Sequence, residues 1–143
     1  MRRIGACAAL VAALALPATA SAEKLMLEGK VKGVPESTVS VGAKKRDGAI
    51  KKVTSMQFRD IPVRCSDNSE GTIDVNLPKI RVRRNDFARK TPIEGKGIAS
   101  GSVRVSGTFR RAGRRVKGSV RVSFEANSGP NCTTGKQRYK ASK

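Results

Sequence analysis

The sequence predicts an all-β chain, a single antiparallel β-sandwich or small barrel with one disulfide, and three observations carry that expectation. No window of about 11 residues or more shows the i, i+3, i+4 apolar spacing of a helix, whereas apolar and polar residues alternate in many short runs. Those runs are separated by Gly, Pro, Asp and Asn clusters, which favours a sandwich or barrel over βαβ units. Two cysteines, Cys65 and Cys132, remain once an export leader is removed, and an even pair in an exported chain is expected to form a disulfide.

The leader comes first in the chain. Arg2 and Arg3 precede the apolar run Ile4 to Pro17, and Ala20-Ser21-Ala22 supplies a small-x-small cleavage site. Residues 1–22 therefore read as a secretory signal and residues 23–143 as one mature domain, long enough to bury roughly two-thirds of its unfolded surface. No other stretch approaches the ~20 apolar residues of a membrane helix. Cys7 stands ahead of most of the leader's apolar region, the wrong side for a lipid-attachment cysteine. Cys65 and Cys132 would close a loop of 68 residues, for which the chain-entropy model gives about 4 kcal/mol.

Strands are expected at Leu25 to Lys32, with Leu25, Leu27 and Val31 on one side, at Thr38 to Val41, and at Val53 to Phe58. Ile61 to Cys65, Thr72 to Leu77 and Ile80 to Arg84 follow, each with its apolar residues two apart. The turns fall between them, at Gly33 to Glu36, Asp47-Gly48, Ser66 to Gly71 and Pro78. Asp86 to Ser100 reads as a loop with at most one short strand, and a total of about eight strands is expected, as in common sandwiches.

A repeat supplies the strongest local signal: Gly-Ser-Val-Arg-Val-Ser occurs at 101–106 and again at 118–123, on either side of Arg110-Arg111-Ala112-Gly113-Arg114-Arg115. This is a hairpin. Side-chain parity pairs Phe109 with Val116, Gly107 with Gly118, Val105 with Val120 and Val103 with Val122 on one face. Ala112 suits the positive φ of a two-residue type I′ turn poorly, so a four-residue loop over 111–114 is favoured. The same register sets Arg104 against Arg121, Arg110 against Arg115 and Thr108 against Lys117 on the other face, and like charges directly opposite are destabilising.

Charge bounds the function. Thirty Lys and Arg against 11 Asp and Glu give +19, or +17 once Arg2 and Arg3 leave with the leader. From residue 101 onward 11 cations face a single acid, Glu125. The chain holds no His, so a Ser-His-Asp triad cannot be built and a zinc site lacks ligands; no catalytic residues, metal or cofactor are assigned. Asp67 to Asp74 departs from the twelve-residue calcium loop and reads as a turn. Asn131-Cys132-Thr133 matches a glycan acceptor pattern that a disulfide at Cys132 would constrain.

The remaining candidate is the basic face itself, Arg104, Arg110, Arg111, Arg114, Arg115, Lys117 and Arg121, where clustered cations attract phosphate, sulfate or carboxylate polymers. The competing reading is a solvated face whose charge maintains solubility and blocks edge pairing. Lys44-Lys45-Arg46, Lys51-Lys52 and Arg81-Val82-Arg83-Arg84 are lesser clusters. Nucleic acid suits the charge, yet Phe58, Phe87, Phe109, Phe124 and Tyr139 fall mostly at inward positions and leave few rings for stacking, so sequence-specific recognition is not expected.

The run from Phe58 to Asp67 and the ending Cys132-Thr133-Thr134-Gly135 through Tyr139 to Ala141 resemble uncharacterised small secreted β-domain proteins of actinobacteria. Those proteins share a Cys-x-Asp-like loop and a Cys-x-[Ser/Thr]-Gly ending, with Trp commoner where Tyr139 stands. The resemblance implies an exported bacterial β-sandwich with a disulfide and carries no activity. The expectation is thus a non-catalytic secreted or cell-surface module that adheres to anionic polymers, or else a structural protein without a dedicated ligand.

Overall fold

The computed structural model describes residues 22–143; the expected leader, apart from Ala22, and Cys7 lie outside the described residues. Ten antiparallel strands follow one another: β1 (Glu23–Val31), β2 (Val34–Arg46), β3 (Ala49–Cys65), β4 (Glu70–Leu77), β5 (Ile80–Arg81), β6 (Asp86–Pro92), β7 (Ile98–Arg110), β8 (Arg115–Ala126), β9 (Asn131–Thr133) and β10 (Gln137–Ser142). Six of them close a circuit, in the order β1, β2, β3, β9, β8, β10 and back to β1. The others widen it: β4 and β5 pair with the second edge of β3, and β7 followed by β6 extends from the second edge of β8.

Alternation places the core. Leu25, Leu27 and Val31 of β1, Val39 and Val41 of β2, and Met56 and Phe58 of β3 are buried, as are Val103, Val105, Phe109, Val116, Val120 and Val122 of the hairpin. Burying such a side chain fully is worth roughly 1.5–3 kcal/mol, so the hairpin's inner face is a major stabilising element. Four of the five aromatic rings join this core, with Phe58 and Tyr139 edge to face at 5.1 Å and Phe87 against Phe109 at 5.6 Å. Phe124 is half-buried against it.

Cys65 and Cys132 form the disulfide and are direct cross-strand partners, with Cα atoms 3.9 Å apart. Its position matters to the circuit, because β3 and β9 share only the pairs Arg64–Thr133 and Cys65–Cys132. The covalent link thus fastens the shortest seam of the closed wall, helped by the Ser66 amide donating to the Asn131 carbonyl at 2.8 Å.

Three expectations are corrected. The runs at Val53 to Phe58 and Ile61 to Cys65 are one strand bent at a bulge: Asp60 takes φ of 56°, its amide donates to Asp74 Oδ1, and Ser37 Oγ donates to its carbonyl. Asp86 to Ser100, expected to hold at most one short strand, holds the seven-residue strand Asp86–Pro92 and the start of β7 at Ile98, because Arg84 and Asn85, both at positive φ, make a tight turn between Arg83 and Asp86. On this edge strand only Phe87 is buried, so it shows no alternation to read. The count is ten rather than about eight, since Asn131–Thr133 and Gln137–Ser142 also pair.

Candidate anion-binding face

The hairpin register is the one that parity requires, from Val103–Val122 through Arg110–Arg115, with a four-residue loop over 111–114. The argument from Ala112 fails in detail: Arg111, Ala112 and Gly113 all take positive φ, at 53°, 56° and 88°. Tertiary contacts hold that conformation. Lys45 Nζ donates to the Ala112 carbonyl at 3.1 Å, the Lys143 amide donates to the Arg114 carbonyl at 3.0 Å, and buried Gly113 sits so close to Ile50 that a Cβ there would lie 2.6 Å from its Cδ1. The tip is thereby folded onto the β2–β3 end of the molecule.

Cross-strand registers resolve the outer face into rows. One row is Lys90, Arg104 and Arg121 across β6, β7 and β8. Two residues along each strand lies a row of small side chains, Ala88, Ser106 and Ser119, ending at Arg138 on β10. The next row runs Asp86, Thr108, Lys117, Lys140 and Lys30, and the one after it Arg110, Arg115, Ser142 and Glu28. Successive rows stand about 7 Å apart, two residues of strand rise.

Short side chains flanked by long ones leave a trough. A hollow of about 610 Å³ is bounded by Lys90, Arg104 and Arg121 on one side and by Lys136 at the end, with Ser106 and Ser119 in its base. A second hollow of about 390 Å³ adjoins it, shares Ser106, Ser119 and Lys136, and adds Lys117, Arg138, Thr108 and, at the β6 edge, Asp86. The two serine Oγ atoms are 3.2 Å apart.

Directly beneath, Gly107 faces Gly118, and their missing side chains admit Tyr139, whose hydroxyl donates to the Ser106 carbonyl at 2.9 Å. A Cβ on either glycine would lie 2.6 Å from that hydroxyl oxygen. Burial pushes the Tyr139 phenol far above its ordinary value, so it stays neutral under the trough.

Among the described residues the single ion pair is Arg64 with Glu70, at 2.9 Å and well exposed. The trough cations therefore have no carboxylate at salt-bridge distance, and Asp86 accepts a hydrogen bond from Thr108 Oγ1 instead. Acids elsewhere serve turns. Asp67 accepts the Ser69 hydroxyl and amide, which holds its carboxyl below the usual value, and no group of three or more metal-ligating side chains occurs among the described residues.

Of the seven cations read from the sequence, all are exposed, and five share the outer face: Arg104 and Arg121 at the trough, Lys117 at its far side, and Arg110 with Arg115 beyond. Arg111 and Arg114 lie in the tip loop beside Lys45. Sequence reasoning missed Lys30, Lys90, Lys136, Arg138 and Lys140. The alternation Arg138-Tyr139-Lys140-Ala141 was the available signal for β10; nothing local marks Lys90, which its pairing with Arg104 brings into the row. No protein-family model, curated protein or solved structure matches the chain, so these residues stand on their geometry alone.

Proposed function

We propose that the protein is a non-catalytic, exported binding module that adheres to anionic polymers of the cell surface or its surroundings, such as phosphate or uronate chains. The observation that carries this reading is the crowding of Lys90, Arg104, Arg121 and Lys117 on a rigid antiparallel sheet without a carboxylate partner. Holding like charges opposite one another costs stability, and a polyanion offsets that cost while an isolated fold does not. Export is supported by the leader signature at 1–22 and by the disulfide, which persists in oxidising compartments. No helix among the described residues is long and apolar enough to cross a membrane. We read the closed six-strand circuit as a small barrel, with β6–β7 and β4–β5 as wings, in preference to two open sheets.

Retention on immobilised heparin or teichoic acid tests the proposal. Elution well above ~0.15 M salt, lowered when Arg104 and Arg121 are changed to Gln, is expected. Elution below that concentration, where screening is still modest, favours the alternative in which the charge only maintains solubility.

A further inference from the structure

The trough differs from the rest of the basic surface in the variety of its donors. At the tip loop the cations stand without a hydroxyl, and the Arg110–Arg115 row has one, Ser142, with Glu28 beside it. In the trough two paired hydroxyls, Ser106 and Ser119, lie between guanidinium groups on one side and Lys136 and Arg138 on the other. A planar carboxylate is satisfied by one guanidinium fork. A tetrahedral oxyanion presents three or four oxygens in different directions and needs donors from several sides, which forks, hydroxyls and ammonium groups together supply.

We infer that this trough is a site for phosphate groups, and that the polymer occupying it is a base-free polyphosphate or phosphodiester chain lying across the strands from the β6 edge towards β10. The inference rests on the adhesion reading above and narrows it. Three strand spacings separate β6 from β10, about 14 Å of trough, so more than one phosphate is accommodated. The polymer is base-free because the aromatic rings are committed to the core: Phe58, Phe109 and Tyr139 are buried, Phe124 packs against them, and Phe87, which borders the second hollow, is only 5% exposed and offers no face on which a base can stack. The Gly107–Gly118 pair lets Tyr139 bond the Ser106 carbonyl from below, which anchors the backbone that carries the hydroxyls.

The test is calorimetric titration of the folded, disulfide-bonded protein at ~0.15 M salt, where exposed charge is screened within ~8 Å. The titrants are inorganic polyphosphate, polygalacturonate of matched charge, and single-stranded DNA. Polyphosphate is expected to bind roughly tenfold more tightly than polygalacturonate, the size of effect that hydrogen bonds to a charged group confer. Changing both serines, Ser106→Ala with Ser119→Ala, should abolish that preference and leave polygalacturonate binding intact. The tip variant Arg111→Gln with Arg114→Gln should weaken both polymers alike.

Amide chemical shifts on adding inorganic phosphate should move at residues 104–106 and 119–121. Equal affinity for the two polyanions, a preference that survives the serine change, or shifts centred on 110–115 would each overturn the phosphate site while leaving general adhesion standing. Tighter binding of DNA than of polyphosphate would overturn the base-free assignment. Failure to bind any of the three removes the adhesion reading itself and the site with it.

Discussion

On the inner face of the β7–β8 hairpin Val103 meets Val122, Val105 meets Val120 and Phe109 meets Val116, all buried; one residue along, on the outer face, Arg104 meets Arg121 and Arg110 meets Arg115, all exposed. The two faces share a backbone and a register, and they are opposite in energy. Apolar pairs gain from contact and from exclusion of water, whereas cation pairs lose by standing opposite each other. The inner gain per residue is several times the outer loss, so the hairpin can present an electrostatically unfavourable surface and remain folded. The difference teaches that an outer arrangement which does not aid folding must be explained by something other than folding.

Variants on the two faces should separate the terms. The largest effect is expected inside: Phe109→Ala leaves a cavity beneath the β7–β8 hairpin and should cost about 3–5 kcal/mol in urea unfolding. Neighbouring Arg110→Ala on the outer face should change stability by no more than ~0.5 kcal/mol. Comparable values for the two would abolish the distinction between the faces.

The seam fastened by sulfur ranks next. Replacing Cys65 and Cys132 by Ser should cost about 2–4 kcal/mol, because it frees a long unfolded loop and leaves β3 and β9 joined by two residue pairs. Hydrogen exchange should then rise at Asn131 to Thr133 before it rises in the hairpin. Uniform exchange over both regions would show that the bond constrains only the unfolded chain.

The floor between the faces can be probed by alkali. Tyr139 is the sole tyrosine, so phenolate absorbance reports on it alone. Its folded pKa is raised and the unfolded value is ordinary, so the native state retains the proton that the unfolded chain loses. Stability is thus fully present below pH ~10 and declines above it, by up to ~1.4 kcal/mol per pH unit. Phenolate should appear together with unfolding; its appearance in a folded protein near pH 10 would mean that the ring is not held beneath Gly107 and Gly118.

The remaining effect is small and has an unusual sign. Arg104→Gln should stabilise the protein by up to ~1 kcal/mol at low salt, a gain that shrinks as salt screens Arg121, while retention on a polyanion falls. A loss of stability would show that Arg104 contributes through packing, and the outer face would no longer oppose the fold.

How much of this was legible before any coordinates depended on whether both partners of a contact were near in sequence. The 101–123 hairpin was readable to the residue, because a repeated phrase, side-chain parity and the turn lie within one local stretch. The basic residues of that hairpin were readable with it. The β6 strand was not, since an edge strand buries only Phe87 and its long charged residues resemble a loop. The bend at Asp60 and the conformation of Ala112 were not legible for a related reason: their positive φ is held by Asp74, Ser37, Lys45 and Lys143, none of them a chain neighbour.

Composition and alternation by themselves determined that the chain is all-β and strongly basic, because those properties follow from residue type and from a period of two, while the leader signature and the even pair left after it pointed to the Cys65–Cys132 bond. Only tertiary structure decided which cations share a surface. Closure brings β10 against β8, and pairing brings β6 against β7, so Lys136, Arg138 and Lys90 join Arg104 and Arg121 around two serines. That juxtaposition depends on the β6–β7 and β8–β10 pairings, whose partners lie as far apart as Arg115 and Ser142, and no local pattern encodes them.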